Sequence, residues 1–318
     1  MDTLDFVKVT EAAALAASRW MGKGERDKAD GAAVEKMRET LNDMEIRGRI
    51  VIGEGERDEA PMLFIGEEVG KGGIEVDIAV DPVEGTNLVA NGLPNSIAVL
   101  AVTAKGCLLN APDTYMDKLA VGPKAAQYVH IDASVRENLE FVANALERPI
   151  ADITVVILDR PRHKQLIDDV RAAGAKIKLI SDGDVDAAIA TAIDGTGIHV
   201  AMGTGGAPEG VLAAAALRCL GGNFMGRLKP RNEDEIKRAM QMGFDDVNKV
   251  LKMDDLVKND DITFVATGIT DGDLVRGVRS FGNGARTHSI IMNSHSSTVR
   301  FVETVHRFRA EPFRVRQH

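Results

Sequence analysis

The chain has 318 residues, a formal net charge of −9, 44% hydrophobic residues and 4% aromatics. That is length and apolar content enough for a large core arranged in two lobes. The acidic balance and the few aromatic rings exclude a general binder of nucleic-acid backbones or a stacking platform for single strands. No run approaches the ~18 apolar residues of a membrane helix. The start, Met1-Asp2-Thr3-Leu4-Asp5, lacks the basic residues of a signal peptide. Cys107 and Cys219 form neither a C-x-x-C pair nor a zinc pattern. A cytoplasmic protein with no membrane partner is expected.

Residues 3–21 read as a helix with apolar residues at helical spacing, broken by Gly22-Lys23-Gly24. A second helix is predicted over 29–44, a short strand over 49–52 closed by Gly53-Glu54-Gly55, and a helical stretch over 59–69. Strands follow at 76–80 and 95–103. From residue 153 the pattern alternates, with strands at 153–158, 176–180 and 197–202 and helices at 163–173, 185–193 and 211–220. Gly221-Gly222 stops the last of these. Such alternation predicts βα units and a largely parallel sheet in this region. Further strands are predicted at 262–266, 289–293 and 300–306. A boundary near residue 150 would separate an N-terminal lobe, 1–150, from a C-terminal lobe, 151–318, with the active site between them.

Asp81-Pro82-Val83-Glu84-Gly85-Thr86 follows the strand at 76–80. Two carboxylates three residues apart thus stand at a strand end, ahead of a turn with a glycine and a hydroxyl. Hard cations such as Mg²⁺ take carboxylate oxygens and bridge them to phosphate, and backbone N–H groups where a turn enters a helix hold anions. Other acids lie at element ends: Asp30, Glu54, Asp182 and Asp184, and Glu209 in Gly205-Gly206-Ala207-Pro208-Glu209-Gly210. In open α/β sheets ligands gather at the carboxyl ends of strands, where distant acids can converge. Each acid also has a plainer reading. Asp30 fits a helix N-cap, Glu54 a solvated loop, and Glu209 a first-turn acid after an N1 proline. Glu56, Asp58 and Glu59 are expected to face solvent.

Asp159-Arg160-Pro161-Arg162-His163 opens a helix after a strand, and its two guanidiniums suit a phosphate. An exposed basic turn is the alternative. Tyr115 could donate to a phosphate or pack. His163 could be a phosphate donor or a cap, and Lys23 and Arg26 could neutralise the surroundings of Asp30. Asp182-Gly183-Asp184 begins like an EF-hand loop, but Ala187 and Ile193 stand where glycine and glutamate belong. Gly203-Thr204-Gly205-Gly206-Ala207-Pro208 fails the dinucleotide fingerprint at its last position.

The hexapeptide resembles the metal motif of the lithium-sensitive, Mg²⁺-dependent phosphatases. Together with residues 51–62, Arg160-Pro161-Arg162-His163, Asp182-Gly183-Asp184 and Gly206-Ala207-Pro208-Glu209-Gly210, it resembles the bacterial class II fructose-1,6-bisphosphatases. The resemblance runs from about residue 5 to the C-terminus. It implies an α/β fold, a layered α-β-α-β-α sandwich with mixed sheets, and hydrolysis of the 1-phosphate of fructose 1,6-bisphosphate. It further implies two or three Mg²⁺ or Mn²⁺ ions on Asp30, Glu54, Asp81, Glu84 and Glu209. Substrate would be held by Glu84-Gly85-Thr86, Tyr115, Arg160-Pro161-Arg162, Asp182-Gly183-Asp184 and Gly206. Thr86, Asp81 and Glu84 would be catalytic, with Thr86 orienting the attacking water or only capping a helix. Helix N-termini after Gly85 and Gly206 would favour the phosphate charge. Homodimers or homotetramers are implied. Glu84, where the wider superfamily usually has Asp, points away from an inositol-type enzyme. The rivals are a sedoheptulose-1,7-bisphosphatase or dual-specificity enzyme, and a non-catalytic sugar-phosphate sensor.

Overall fold

Several strands that read as unbroken apolar runs do so because both of their faces are covered. In the computed structural model the described residues are 3–55 and 62–308. Among them the strands are β1 (Ile46–Ile52), β2 (Glu68–Val69), β3 (Ile74–Glu84), β4 (Ile97–Ala104), β5 (Tyr115–Val121), β6 (Thr154–Leu158), β7 (Lys176–Ile180), β8 (Val200–Gly206), β9 (Asn223–Lys229), β10 (Ile262–Gly268), β11 (Arg279–Phe281), β12 (Gly284–Asn293) and β13 (Thr298–Arg307). The helices are α1 (Val7–Ser18), α2 (Arg26–Asn42), α3 (Thr86–Asn91), α4 (Val135–Ala145), α5 (Lys164–Ala173), α6 (Asp184–Ala190), α7 (Ala207–Leu220), α8 (Glu233–Gln241) and α9 (Met253–Leu256).

On β4, Ile97, Val99 and Ala101 point into one core with α7, while Ala98, Leu100 and Val102 point into another with α1 and α2. Side chains alternate faces along a strand, so a strand covered on both sides shows no polar alternation. Helix α7 is the counterpart. Val211 to Leu217 are all buried because the helix lies between two sheets, and a helix apolar all round is a buried helix. The layers are α1 and α2, an eight-stranded sheet, a middle layer with α6 and α7, a five-stranded sheet, and outer helices α4 and α5. This is the α-β-α-β-α sandwich expected.

The larger sheet runs β11-β12-β10-β4-β3-β1-β2 with β13 on β12, and the smaller runs β7-β6-β8-β5-β9. The larger is antiparallel except for the pair β1 and β3. In the smaller, β7, β6 and β8 are parallel as predicted, but β5 and β9 add antiparallel strands. The sheets draw on interleaved stretches of chain. Strand β5, ahead of residue 150, lies in the smaller sheet, and β10 to β13 return to the larger.

The helix predicted over 59–69 does not form at residues 62–69, and residues 59–61 lie outside the described residues. The backbone pairs with β1 instead. Gly66 N–H donates to the Ile50 carbonyl, and Ile50 N–H to that of Glu67. Glu67 is buried and accepts from the Leu63 N–H and from Arg38. Residues 56–61, with Glu56, Asp58 and Glu59, are outside the described residues.

Candidate active site

Strand β3 ends in an irregularity. Its register against β4 shifts between Asp81 and Glu84, where Pro82 cannot donate to the ladder. Asp81 Oδ1 accepts from the Val83 N–H at 2.9 Å. Gly85 then turns the chain at φ 82° into α3, a left-handed conformation that favours glycine. Glu54 follows β1, the parallel neighbour of β3, so the two strand ends bring their acids together. Asp30 is the fifth residue of α2, whose N-cap is Glu25, so it is not a cap. Its carboxyl shares a hydrogen bond with Glu54. Glu209 enters from the first turn of α7. Asp30, Glu54, Asp81, Glu84 and Glu209 line one cavity of about 340 Å³, with Thr86 and Asp182 at its wall.

Burial raises every one of these acids, and repulsion from others in the set adds to it for Glu54, Asp81 and Glu84. Glu54 is pushed up to about 9, by burial first and then by the charges of Asp30 and Asp81. Asp81 rises to about 7 through burial, with Glu209 and Asp30 adding to it and the Glu84 and Val83 hydrogen bonds opposing. Glu84 lies well above the ordinary range through burial, Asp81 and Asp184. Glu209 is raised by burial against the pull of Lys118, and Asp30 by burial against its bond with Glu54. Glu209 Oε2 is buried with no hydrogen-bond partner. All-oxygen, clustered and partly unpartnered donors fit a hard divalent cation. Among the described residues no three His, Cys, Asp or Glu groups enclose a ready-made metal position, so the fit rests on donor chemistry.

The smaller sheet supplies the other wall. Glu84 Oε1 accepts from the Val185 N–H at 2.9 Å, tying β3 to the start of α6. Asp184 pairs with Lys118 at 2.7 Å, and the Lys118 side chain is only 9% exposed. Asp182 accepts from Asn87 Nδ2 at 3.0 Å and lies 4.0 Å from Arg160. A Cβ on Gly205 would strike the Asp184 carboxylate, and one on Gly206 the Glu209 carboxylate. The Gly-Gly pair is therefore the room in which these acids sit.

Arg162 is committed in part, its Nε and Nη2 donating to the Thr204 carbonyl at 3.0 and 2.8 Å. Its guanidinium lies 4.8 Å from the Tyr115 ring centre. His163 is not free to donate to a phosphate. Its Nδ1 bonds the Leu158 carbonyl and its Nε2 accepts from the Thr204 N–H, both at 2.7 Å, and burial lowers its pKa. It joins the ends of β6 and β8. The expected anion cradle after Gly206 is mostly spent, since the Ala207 N–H donates to the Thr114 carbonyl and Pro208 has none. Thr86 is the first residue of α3, not its cap, and its hydroxyl donates to the Val83 carbonyl at 3.2 Å. Arg26 lines the acid cavity and opposes the rise of Asp30, whereas Lys23 lies over Trp20. Lys118 and Asn87 are additions that sequence reading missed. The first lies on β5, whose central Asp117-Lys118 hides its strand pattern.

The model of the family described as "Bacterial fructose-1,6-bisphosphatase, glpX-encoded" matches residues 2–306. A protein of Synechococcus sp. (strain JA-2-3B'a(2-13)) is 52% identical over 95% of this chain and 94% of its own length. One of Trichodesmium erythraeum is 52% identical over 96% of each. Both carry the name D-fructose 1,6-bisphosphatase class 2/sedoheptulose 1,7-bisphosphatase. The solved structure of Thermotoga maritima IMPase aligns with 60% of this chain and 74% of its own at 15% identity and a TM-score of 0.33, too loose a likeness to carry any conclusion. The chain belongs to the bacterial, glpX-encoded fructose-1,6-bisphosphatase family.

Proposed function

We propose that this protein is a metal-dependent hydrolase that removes the 1-phosphate of fructose 1,6-bisphosphate, leaving fructose 6-phosphate and inorganic phosphate. The observation that carries the reading is the single cavity gathering Asp30, Glu54, Asp81, Glu84 and Glu209, with Asp182 joining its wall to Arg160. Close relatives that bear this activity in their names support it. The five acids would hold two or three Mg²⁺ or Mn²⁺ ions. Bound there, such ions polarise a phosphoryl oxygen and lower the pKa of water.

The chain's own residues supply orientation. The Thr86 hydroxyl spends its proton on Val83, so its lone pairs are left to accept from the attacking water. Attack at phosphorus breaks the bond to the sugar oxygen O1, which leaves with the electron pair and takes a proton. Asp182 and Asp184, fixed by Asn87 and Lys118, would accept from sugar hydroxyls and set the spacing between the phosphates. Arg160, Arg162 and Tyr115 would hold the distal phosphate, and binding energy there orients the reacting end. Assembly as a homodimer or homotetramer in the cytoplasm belongs to the same proposal. Val299, Phe301 and Val305, exposed on one face of β13, support contact with a second copy.

Sedoheptulose 1,7-bisphosphate is the second reading, favoured by the paired activity in the relatives' names. A sensor without catalysis would not need the complete acid set. The test is kcat/KM for both bisphosphates and for inositol 1-phosphate, with Mg²⁺, Mn²⁺ or EDTA. Metal-dependent turnover of a bisphosphate, with fructose 1,6-bisphosphate favoured, is expected. Turnover of inositol 1-phosphate alone, or binding without turnover, refutes the reading.

A further inference from the structure

We infer that Arg231 is a further binding residue for the distal phosphate, closing a clamp with Tyr115 and Arg162; the inference rests on the bisphosphate reading above. Tyr115 opens β5, where it is paired with Gly206 on β8 and with Lys229 on β9. Two arginines reach its ring, one tied to the β8 side and one following β9. Arg162, anchored on the Thr204 carbonyl of β8, lies 4.8 Å from the ring centre, and Arg231, two residues beyond β9, lies 5.1 Å from it. Arg231 is held in place from behind. Glu235 accepts from its Nε at 2.6 Å and from its backbone N–H at 2.8 Å, and also takes the hydroxyl of Thr114, the residue before Tyr115. The Glu235 N–H in turn donates to the Asn232 side chain at 2.9 Å. One buried carboxylate thus fixes both the arginine and the start of the strand that carries the tyrosine.

The charge balance around the ring points to an anion. Arg160 has a carboxylate partner in Asp182 at 4.0 Å, but Arg162 is bonded to a neutral carbonyl. Of the two guanidiniums on Tyr115 only Arg231 meets a carboxylate, through Nε, and its side chain stays 53% exposed. The exposed Asp113 adds a second negative charge near Arg231 but no hydrogen bond to it among the described residues. Two guanidiniums on one phenol, only one of them bonded to a carboxylate, therefore suit a doubly charged phosphate. Guanidinium forks match its oxygens, and the phenol adds a donor.

The experiment measures fructose 6-phosphate binding by calorimetry and steady-state kinetics on fructose 1,6-bisphosphate, for wild type, Arg231→Ala, Arg231→Gln and Arg231→Lys. Fructose 6-phosphate carries only the distal phosphate. Loss of one charge-assisted contact should weaken its binding and raise KM about 10- to 100-fold, with kcat changed less than about threefold. Arg231→Gln keeps a donor for Glu235 without the charge and should be impaired like the alanine variant, while Arg231→Lys should recover part of the loss. Normal fructose 6-phosphate affinity in Arg231→Ala or Arg231→Gln overturns the inference, as does a fall in kcat with affinity unchanged. Wild type that binds fructose 6-phosphate but releases no phosphate from the bisphosphate would sink the catalytic reading and leave the clamp standing.

Discussion

Replacing Glu54 by Gln should make the metal-free protein more stable while ending its activity. Glu54 is pushed up from 4.5 to about 9. With the folded pKa above the unfolded one, the native state keeps a proton that the unfolded chain releases, so stability falls as pH rises from 4.5 towards 9. At pH 7.5 the solution lies about three units above the ordinary value, and holding the proton costs ~4 kcal/mol at about 1.36 kcal/mol per unit. Glutamine is always neutral and nearly isosteric, so the variant gains up to ~4 kcal/mol at pH 7.5, less the strength of the Asp30 hydrogen bond it weakens, and close to nothing at pH 4.5. A gain of that size raises Tm by several degrees, at about 1.5 °C per kcal/mol for a chain of 318 residues. The assay is calorimetric melting in EDTA at pH 5 and pH 7.5, repeated with Mn²⁺. The wild type should gain more from Mn²⁺ than the variant does. A variant no more stable than wild type at pH 7.5, or a gain of equal size at both pH values, would refute the burial and repulsion that hold Glu54 above its ordinary range.

Asp81→Ala should lower kcat/KM by several orders of magnitude with the folded circular-dichroism spectrum retained; near-normal turnover at saturating metal would contradict its role. Lys118→Met breaks a buried pair with Asp184, which should cost about 3–5 kcal/mol at neutral pH, read by urea unfolding; an unchanged midpoint would show the pair to be inert. Light scattering should give twice or four times the chain mass, and Phe301→Asp on β13 should reduce it; a monomeric wild type would remove β13 as an interface.

Part of the candidate site was legible because three of its acids sit at strand ends in short glycine-marked motifs. Asp81 and Glu84 end β3, Glu54 follows β1, and a parallel pair brings such ends together whatever their separation in sequence. The alternating strands and helices of 153–220 were legible for the same reason, each element being closed by a glycine or a charged turn. Strand β5 was not. Asp117 and Lys118 break its apolar run, and only the folded sheet shows them turned towards Thr204 and Asp184. With β5 unseen, the antiparallel half of the smaller sheet, the buried Lys118 and the approach of Arg231 to Tyr115 were out of reach. The stretch 59–69, read as a helix, misled in the opposite way at residues 62–69. Its composition suits a helix, but β1 recruits the backbone of residues 66 and 67, and a tertiary partner outweighs local propensity. The two nitrogens of His163 were beyond sequence too, because their partners Leu158 and Thr204 lie on different strands.

The most direct test of the whole account follows fructose 1,6-bisphosphate by ³¹P NMR with the wild-type protein and Mn²⁺ or Mg²⁺. The account predicts that the 1-phosphate resonance disappears while inorganic phosphate and fructose 6-phosphate grow in equal amounts, and that EDTA stops the change. Loss of the 6-phosphate resonance instead, or an unchanged spectrum with folded, metal-supplied protein, would contradict it.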